Sequence, residues 1–222
     1  MERASDALRA ETQELLAGSI RRDRAGYCEI GLEDFFRAPD EIALRALGQM
    51  LQWVGGPEAT PRLERLERLY ERLAAAGPFG GRTLGGCRIH VRTGASGHRL
   101  RVFREPEAAD QVLPLPPGTG GVWDGRFRVA LTSGGVGSGE AAVVRRLGDE
   151  GWREIAPAVP DKVRRQLPAL ARPSLPALWD RTGVLSVPLA GYQRPESGLE
   201  SRFNLGVFTT EAAWRGAPEE LA

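Results

Sequence analysis

Histidine, cysteine and lysine are nearly missing from this sequence, and each shortage closes off a class of chemistry. Only two cysteines and two histidines occur in 222 residues. Cys28 and Cys87 lie far apart with no CxxC and no Cys/His cluster, which argues against a disulfide scaffold and against a zinc site. A reduced, cytoplasmic chain is the default. His90 and His98 have no cysteine or carboxylate placed to complete a triad or a metal site, and they read as exposed strand histidines. The signatures GxSxG, HExxH and GxxxxGK[ST] are all absent. No apolar run reaches transmembrane length, and the start, MERASDALRAETQELL, has no apolar signal core. The expectation is a soluble protein with no membrane partner. A surplus of one charge sign is also lacking, since 30 basic residues face 29 acidic ones for a formal net charge of +1. Any case for nucleic acid must therefore rest on local clustering. Lys162 is the single lysine; every other cation is arginine, whose fork can grip a phosphate in bidentate fashion as lysine cannot.

What is present is a strong alternating pattern at residues 82–106, RTLGGCRIHVRTGASGHRLRVFREP. Cys87, Ile89 and Val91 alternate with polar residues going in, and Leu100 and Val102 alternate coming out, with Arg104 next in that register. A turn at residues 93–97 separates them, so the stretch predicts a β-hairpin with one buried and one wet face. Its wet face carries Arg88, His90, Arg92, Arg99 and Arg101. Everything before it reads as helical: an amphipathic helix over 7–20, a short extended link near 26–30, and a helical block over 34–54 interrupted at Pro39. A third helix runs over 61–76, with leucines at helical spacing and alternating arginine and glutamate elsewhere, which reads as a solvated face.

Residues 77–81, GPFGG, mark a boundary between a helical and a β half. Beyond it, VWDGRFRVAL over 122–131 predicts a second hairpin in which Asp124 and Gly125 turn the chain and aim Arg126. Trp123 reads as core, with base stacking as the alternative. Short helices are expected over 140–147, stopped near Gly148 and Gly151, and over 161–170. A last turn and strand fall over 179–188, and no internal repeat is present. The fold class is α+β: an N-terminal helical domain (1–76), then a small antiparallel β-rich domain with two short helices (82–192), then a loosely ordered tail (193–222). Residues 133–138, SGGVGS, follow a strand in the manner of a phosphate-cradling loop. They resemble the SGGxDS loop of the ATP-pyrophosphatase superfamily, but Gly137 replaces its aspartate and no repeating βα pattern surrounds it. The loop reads as a flexible turn.

Over most of its length the chain resembles the carboxy-terminal part of bacterial tRNA(Ile)-lysidine synthetase. The likeness rests on PDEIALRAL (39–47), TPRLERLERL (60–69), TLGGCRI (83–89), Arg104-Glu105, WDGRF (123–127), LGDEGW (147–152) and VRRQLPAL (163–170), in that order. The resemblance implies an enzyme family that uses ATP and magnesium to adenylate the wobble cytidine of a CAU-anticodon isoleucine tRNA and then attaches lysine. It places this chain among the tRNA-binding accessory domains, without the ATP-pyrophosphatase domain and so inactive alone. No catalytic residue and no cofactor is then expected here. The partners would be tRNA and a catalytic domain, supplied in trans or missing.

Positioning a tRNA needs phosphate contacts, which strand-borne arginines suit. The candidates are Arg88, Arg92, Arg99, Arg101 and Arg104, followed by Arg145, Arg146, Arg164 and Arg165. Structural roles compete: Arg104 can pair with Glu105 or a neighbouring strand, and Arg164 and Arg165 can be a solvated helix face. Three other readings stay open. These are a free-standing RNA-binding module, a scaffold in which helix 61–76 docks a protein, and a nucleotide-binding enzyme using residues 133–138.

Overall fold

The computed structural model describes residues 2–56, 59–75, 78–95, 97–131, 142–195 and 205–209, with the side chains of 2–4 and 205–209 excepted. Two compact units emerge from its contacts. One holds residues 1–23 and 27–103, the other residues 24–26 and 104–212.

The first unit packs helices onto one face of an antiparallel sheet. Its elements are α1 (Glu2–Ser19), β1 (Ile20–Asp23), β2 (Tyr27–Gly31), α2 (Leu32–Arg37), α3 (Asp40–Gly55), α4 (Leu63–Ala74), β3 (Arg82–Leu84), β4 (Cys87–Gly94) and β5 (Gly97–Arg104). The strand order is β1-β2-β5-β4-β3. Strand alternation sends Cys28, Ile30, Cys87, Ile89, Leu100 and Val102 to one face. They join the apolar face of α3, from Ala43 to Val54, and Leu66, Leu69 and Leu73 of α4 in one cluster. Each fully buried leucine or isoleucine here, such as Leu47 or Ile30, stabilises the fold by about 2 kcal/mol. Helix α3 starts after Pro39, whose carbonyl accepts from the Ile42 and Ala43 amides at 2.9 Å. The Tyr70 hydroxyl donates to Asp40 Oδ1 at 2.7 Å and ties α4 to that start. The β3–β4 turn needs Gly85 and Gly86, with φ of +59° and +67°, a conformation that side chains with a Cβ resist.

The predicted hairpin is present, but it belongs with the helices rather than after them. The link expected near 26–30 is a strand that pairs with both β1 and β5. Its alternation is short and both its faces are covered, which hid it from a period-two reading. The contacts therefore divide the chain at 103/104, whereas the glycine-rich stretch 77–81 connects α4 to the edge strand of the same unit.

The second unit contains β6 (Leu113–Pro114), β7 (Gly120–Trp123), β8 (Phe127–Leu131), β9 (Val143–Arg146), α5 (Gly148–Ile155), α6 (Asp161–Gln166), β10 (Pro176–Asp180), β11 (Gly183–Val187), β12 (Tyr192–Gln193) and β13 (Leu205–Thr209). Two sheets form, ordered β12-β11-β10-β9-β6 and β13-β8-β7. The hairpin expected over 122–131 is β7–β8, with Phe127, Val129 and Leu131 turned inward. Within the expected tail, residues 205–209 pair antiparallel with β8.

The short helix expected over 140–147 is a correction. Residues 143–146 form β9, paired with β6 and β10, and the helix starts at Gly148 instead. Gly148 and Gly151 are not stops. Gly151 lies inside α5 because a Cβ there would come within 2.8 Å of Trp179 and of Leu147. Close packing, not helix termination, selects glycine at that position.

Candidate nucleic-acid interface

Alternation along β2, β4 and β5 sends every second side chain to the sheet face opposite the core, and there four of the nine predicted arginines gather. Register places Arg21 of β1 opposite Glu29 of β2, and Glu29 opposite Arg101 of β5, in one row across three strands. Glu29 is buried, with 3% of its surface exposed. Arg101 Nε donates to Glu29 Oε2 at 2.7 Å. Arg99 Nε lies 3.1 Å from Glu29 Oε1, and Arg21 Nη1 lies 3.7 Å from the same oxygen. The Arg99 Nε is buried and misaligned for a hydrogen bond, so its tie to Glu29 is an ion pair only. One carboxylate thus anchors three guanidiniums and leaves a local excess of positive charge. Arg88, His90 and Arg92 of β4 lie on the same face by alternation; Arg92 is exposed and the other two are half-buried.

Two aromatic groups on this face are locked into packing. Tyr27 stacks on Phe103 with ring centroids 5.0 Å apart. Burial, then the nearby Asp23 and Glu29 carboxylates, push the Tyr27 hydroxyl up to about 12. On the opposite, core-side alternation of β1, the Arg22 guanidinium sits 3.4 Å over the Trp53 ring, and desolvation lowers its pKa despite Cys28. Burial pushes the Cys28 thiol up, so it is an inert core group rather than a nucleophile.

His90 and His98 are not partners. His98 Nδ1 lies 3.0 Å from Thr93 Oγ1 on the core-side alternation, whereas His90 alternates with Arg88 and Arg92. Among the described residues no group of three histidine, cysteine or carboxylate side chains is disposed to hold a metal ion. The glycine loop 133–138 lies outside the described residues.

The second unit uses its predicted arginines structurally. Asp124 sits at φ +52° and accepts from Arg104 through both oxygens, at 2.7 and 3.1 Å, and from Arg126 Nε at 2.6 Å. Arg104 thus pairs with the Asp124 turn. Arg126 is 1% exposed and donates to the Ser174 carbonyl at 3.0 Å. Trp123 is fully buried, and its indole N–H donates to the Gln111 carbonyl at 2.8 Å, so it offers no face to a base. Arg145 is exposed, with its guanidinium 3.9 Å from the Trp179 ring centroid. Arg146 donates to the Pro106 carbonyl, and Arg164 to Asp161 on its own helix. Arg165 is exposed at the end of α6.

The structure therefore brings Arg88, Arg92, Arg99 and Arg101 onto one sheet face. It distributes Arg104, Arg145, Arg146, Arg164 and Arg165 over the other unit. Glu29 and Arg21 were missed in the sequence. Their signal was the short alternation of IRRD and YCEIG around a glycine turn.

No model of a known protein family matches the chain. Similar curated proteins are named tRNA(Ile)-lysidine synthase. The one from Hyphomonas neptunium is 45% identical over 96 residues, which is 43% of this chain and 23% of that protein. The one from Ruegeria pomeroyi is 33% identical over 191 residues, 86% of this chain and 41% of that protein. The one from Caulobacter vibrioides is 33% identical over 165 residues, 71% and 36% respectively. The chain spans less than half the length of these relatives. Matched by proteins that share one name, at 33% identity over most of its residues and at 45% over a shorter stretch, it is a homologue of part of tRNA(Ile)-lysidine synthase.

Proposed function

We propose that the chain supplies the tRNA-recognition portion of a cytoplasmic tRNA(Ile)-lysidine synthase, corresponding to the carboxy-terminal part of that family, with the β1–β5 sheet face as its main RNA contact. The observation that carries this reading is the row Arg21–Glu29–Arg101 with Arg99 beside it. Guanidiniums pinned by a buried carboxylate lose little side-chain entropy on meeting a phosphate, and they retain a net positive charge with which to do so. Arg88 and Arg92 extend that row along β4. Arg145 and Arg165 are the exposed candidates of the second unit, while Arg104 and Arg146 hold their own unit together. The ATP- and magnesium-dependent attachment of lysine to cytidine then belongs to the larger part of the relatives that this chain does not match. The chain acts together with such a part and forms no lysidine alone.

The test is a titration of the full chain with isoleucine tRNA bearing a CAU anticodon, and with an unrelated tRNA, at two salt concentrations. The expected result is preferential binding to the first tRNA that weakens steeply with salt. Arg92→Ala and Arg99→Ala together should reduce the slope of log affinity against log salt by about 2. Absence of binding to either tRNA at low salt would refute the RNA reading.

A further inference from the structure

Helix α4 looks mixed in charge along the sequence, but its helical period sorts the signs in space. At about 100° per residue, Arg65, Arg68 and Arg72 fall on one stripe, Glu64, Glu67 and Glu71 on another, and Leu66, Leu69 and Leu73 on the buried one. The arginine stripe flanks the leucine stripe and faces strand β3. Between them lies a cavity of about 630 Å3, a size suited to a small ligand. Its cationic wall is Arg65, Arg68 and Arg72 from α4 with Arg82 from β3, and its floor is apolar, made by Leu69 and Leu84. Glu71 is the carboxylate at its margin. Arg68 Nε donates to the Glu64 carbonyl at 3.2 Å and its Nη2 lies 3.6 Å from the Glu64 carboxylate, an exposed ion pair that adds little.

An apolar floor beneath a cationic wall complements a flat base joined to a phosphate. Guanidinium planes and apolar side chains both stack on unpaired bases, and arginine forks grip phosphate. A peptide strand added to the sheet edge is the competing occupant. Strand β3 is three residues long, too short to template much backbone pairing. We infer that the α4–β3 groove seats an unpaired nucleotide of a bound RNA, its base against Leu69 and Leu84 and its phosphates among Arg65, Arg68, Arg72 and Arg82. This rests on the RNA reading of the chain but concerns a surface separate from the β1–β5 sheet face.

The experiment uses the full chain and two fluorescent probes, a tRNA transcript and a polyglutamate peptide. The variants are Arg65→Glu with Arg72→Glu, Glu71→Gln, and Arg92→Ala with Arg99→Ala on the sheet face. The groove pair should weaken tRNA binding at least about tenfold and lower the salt slope by about 2. Glu71→Gln should tighten it about two- to threefold, a gain that misfolding cannot produce. If both groove variants bind tRNA like the unaltered chain while the sheet-face pair loses affinity, the groove assignment is overturned and the tRNA reading survives. If the groove variants change only polyglutamate binding, the groove is a protein-docking surface and the inference is wrong. If the unaltered chain binds no RNA, both readings fall.

Discussion

Three guanidiniums converge on the buried carboxylate of Glu29, and taking away its charge would leave Arg21, Arg99 and Arg101 facing one another without compensation. Glu29→Gln keeps the shape and one acceptor but not the charge. It should lower the stability of the first unit by about 2–3 kcal/mol, read from urea unfolding as a lower midpoint at unchanged slope. A second carboxylate sets an acid dependence. Burial alone would raise the Asp180 pKa, but donors from Arg194 and Thr182 outweigh it and hold the group below its ordinary value of 3.8. A carboxylate depressed in the folded state contributes stability above the unfolded value and loses it as pH falls through the folded one. Asp180→Asn should therefore be less stable than the unaltered chain at neutral pH, and the gap should close below pH 3.8. Thermal midpoints measured across that range would check it; a constant gap would rule out the linkage.

At the scale of elements, α5 shows how a packing glycine imitates a stop. The α5 segment, GDEGWREI, has two glycines in its first four residues, yet it is helical from Gly148 because Gly151 faces Trp179. Gly151→Ala raises intrinsic helix propensity and would stabilise an isolated helix. Here the added methyl meets ring atoms at 2.8 and 2.9 Å, so overpacking dominates and the variant should lose about 1–3 kcal/mol. Unfolding followed by tryptophan fluorescence tests the sign; a stabilised variant would mean that the contact relaxes freely. Helix α4 illustrates the opposite case. Its mixed charge reads as ordinary solvated surface until its angular positions are taken, and then its arginines form one wall of a groove.

For the whole molecule, a net charge of +1 means that long-range attraction to a polyanion is weak and that binding depends on local segregation of charge. In the proposed division of labour, the purified chain given ATP, lysine and isoleucine tRNA should form no lysidine. Addition of the catalytic part of a homologue should give product, detected by mass spectrometry of the digested tRNA. Product from the chain alone would mean that the chemistry resides in this chain.

The α+β class, the hairpin within 82–106, the apolar face of α3, the β7–β8 hairpin and the likeness to the lysidine synthetase family were all legible in the sequence. Each rests on periodicity or on ordered local motifs, which need only near neighbours in the chain. Four arginines of the candidate face were legible for the same reason, since alternation along β4 and β5 sets their side. Glu29 beneath those arginines was not, because its role depends on β2 pairing with β5, some seventy positions away in the chain. The same is true of the division at 103/104, the strand character of residues 143–146 and the wall that α4 builds with β3. Short segments carry too little period to declare themselves, and which strands become neighbours is decided by burying the whole apolar surface at once.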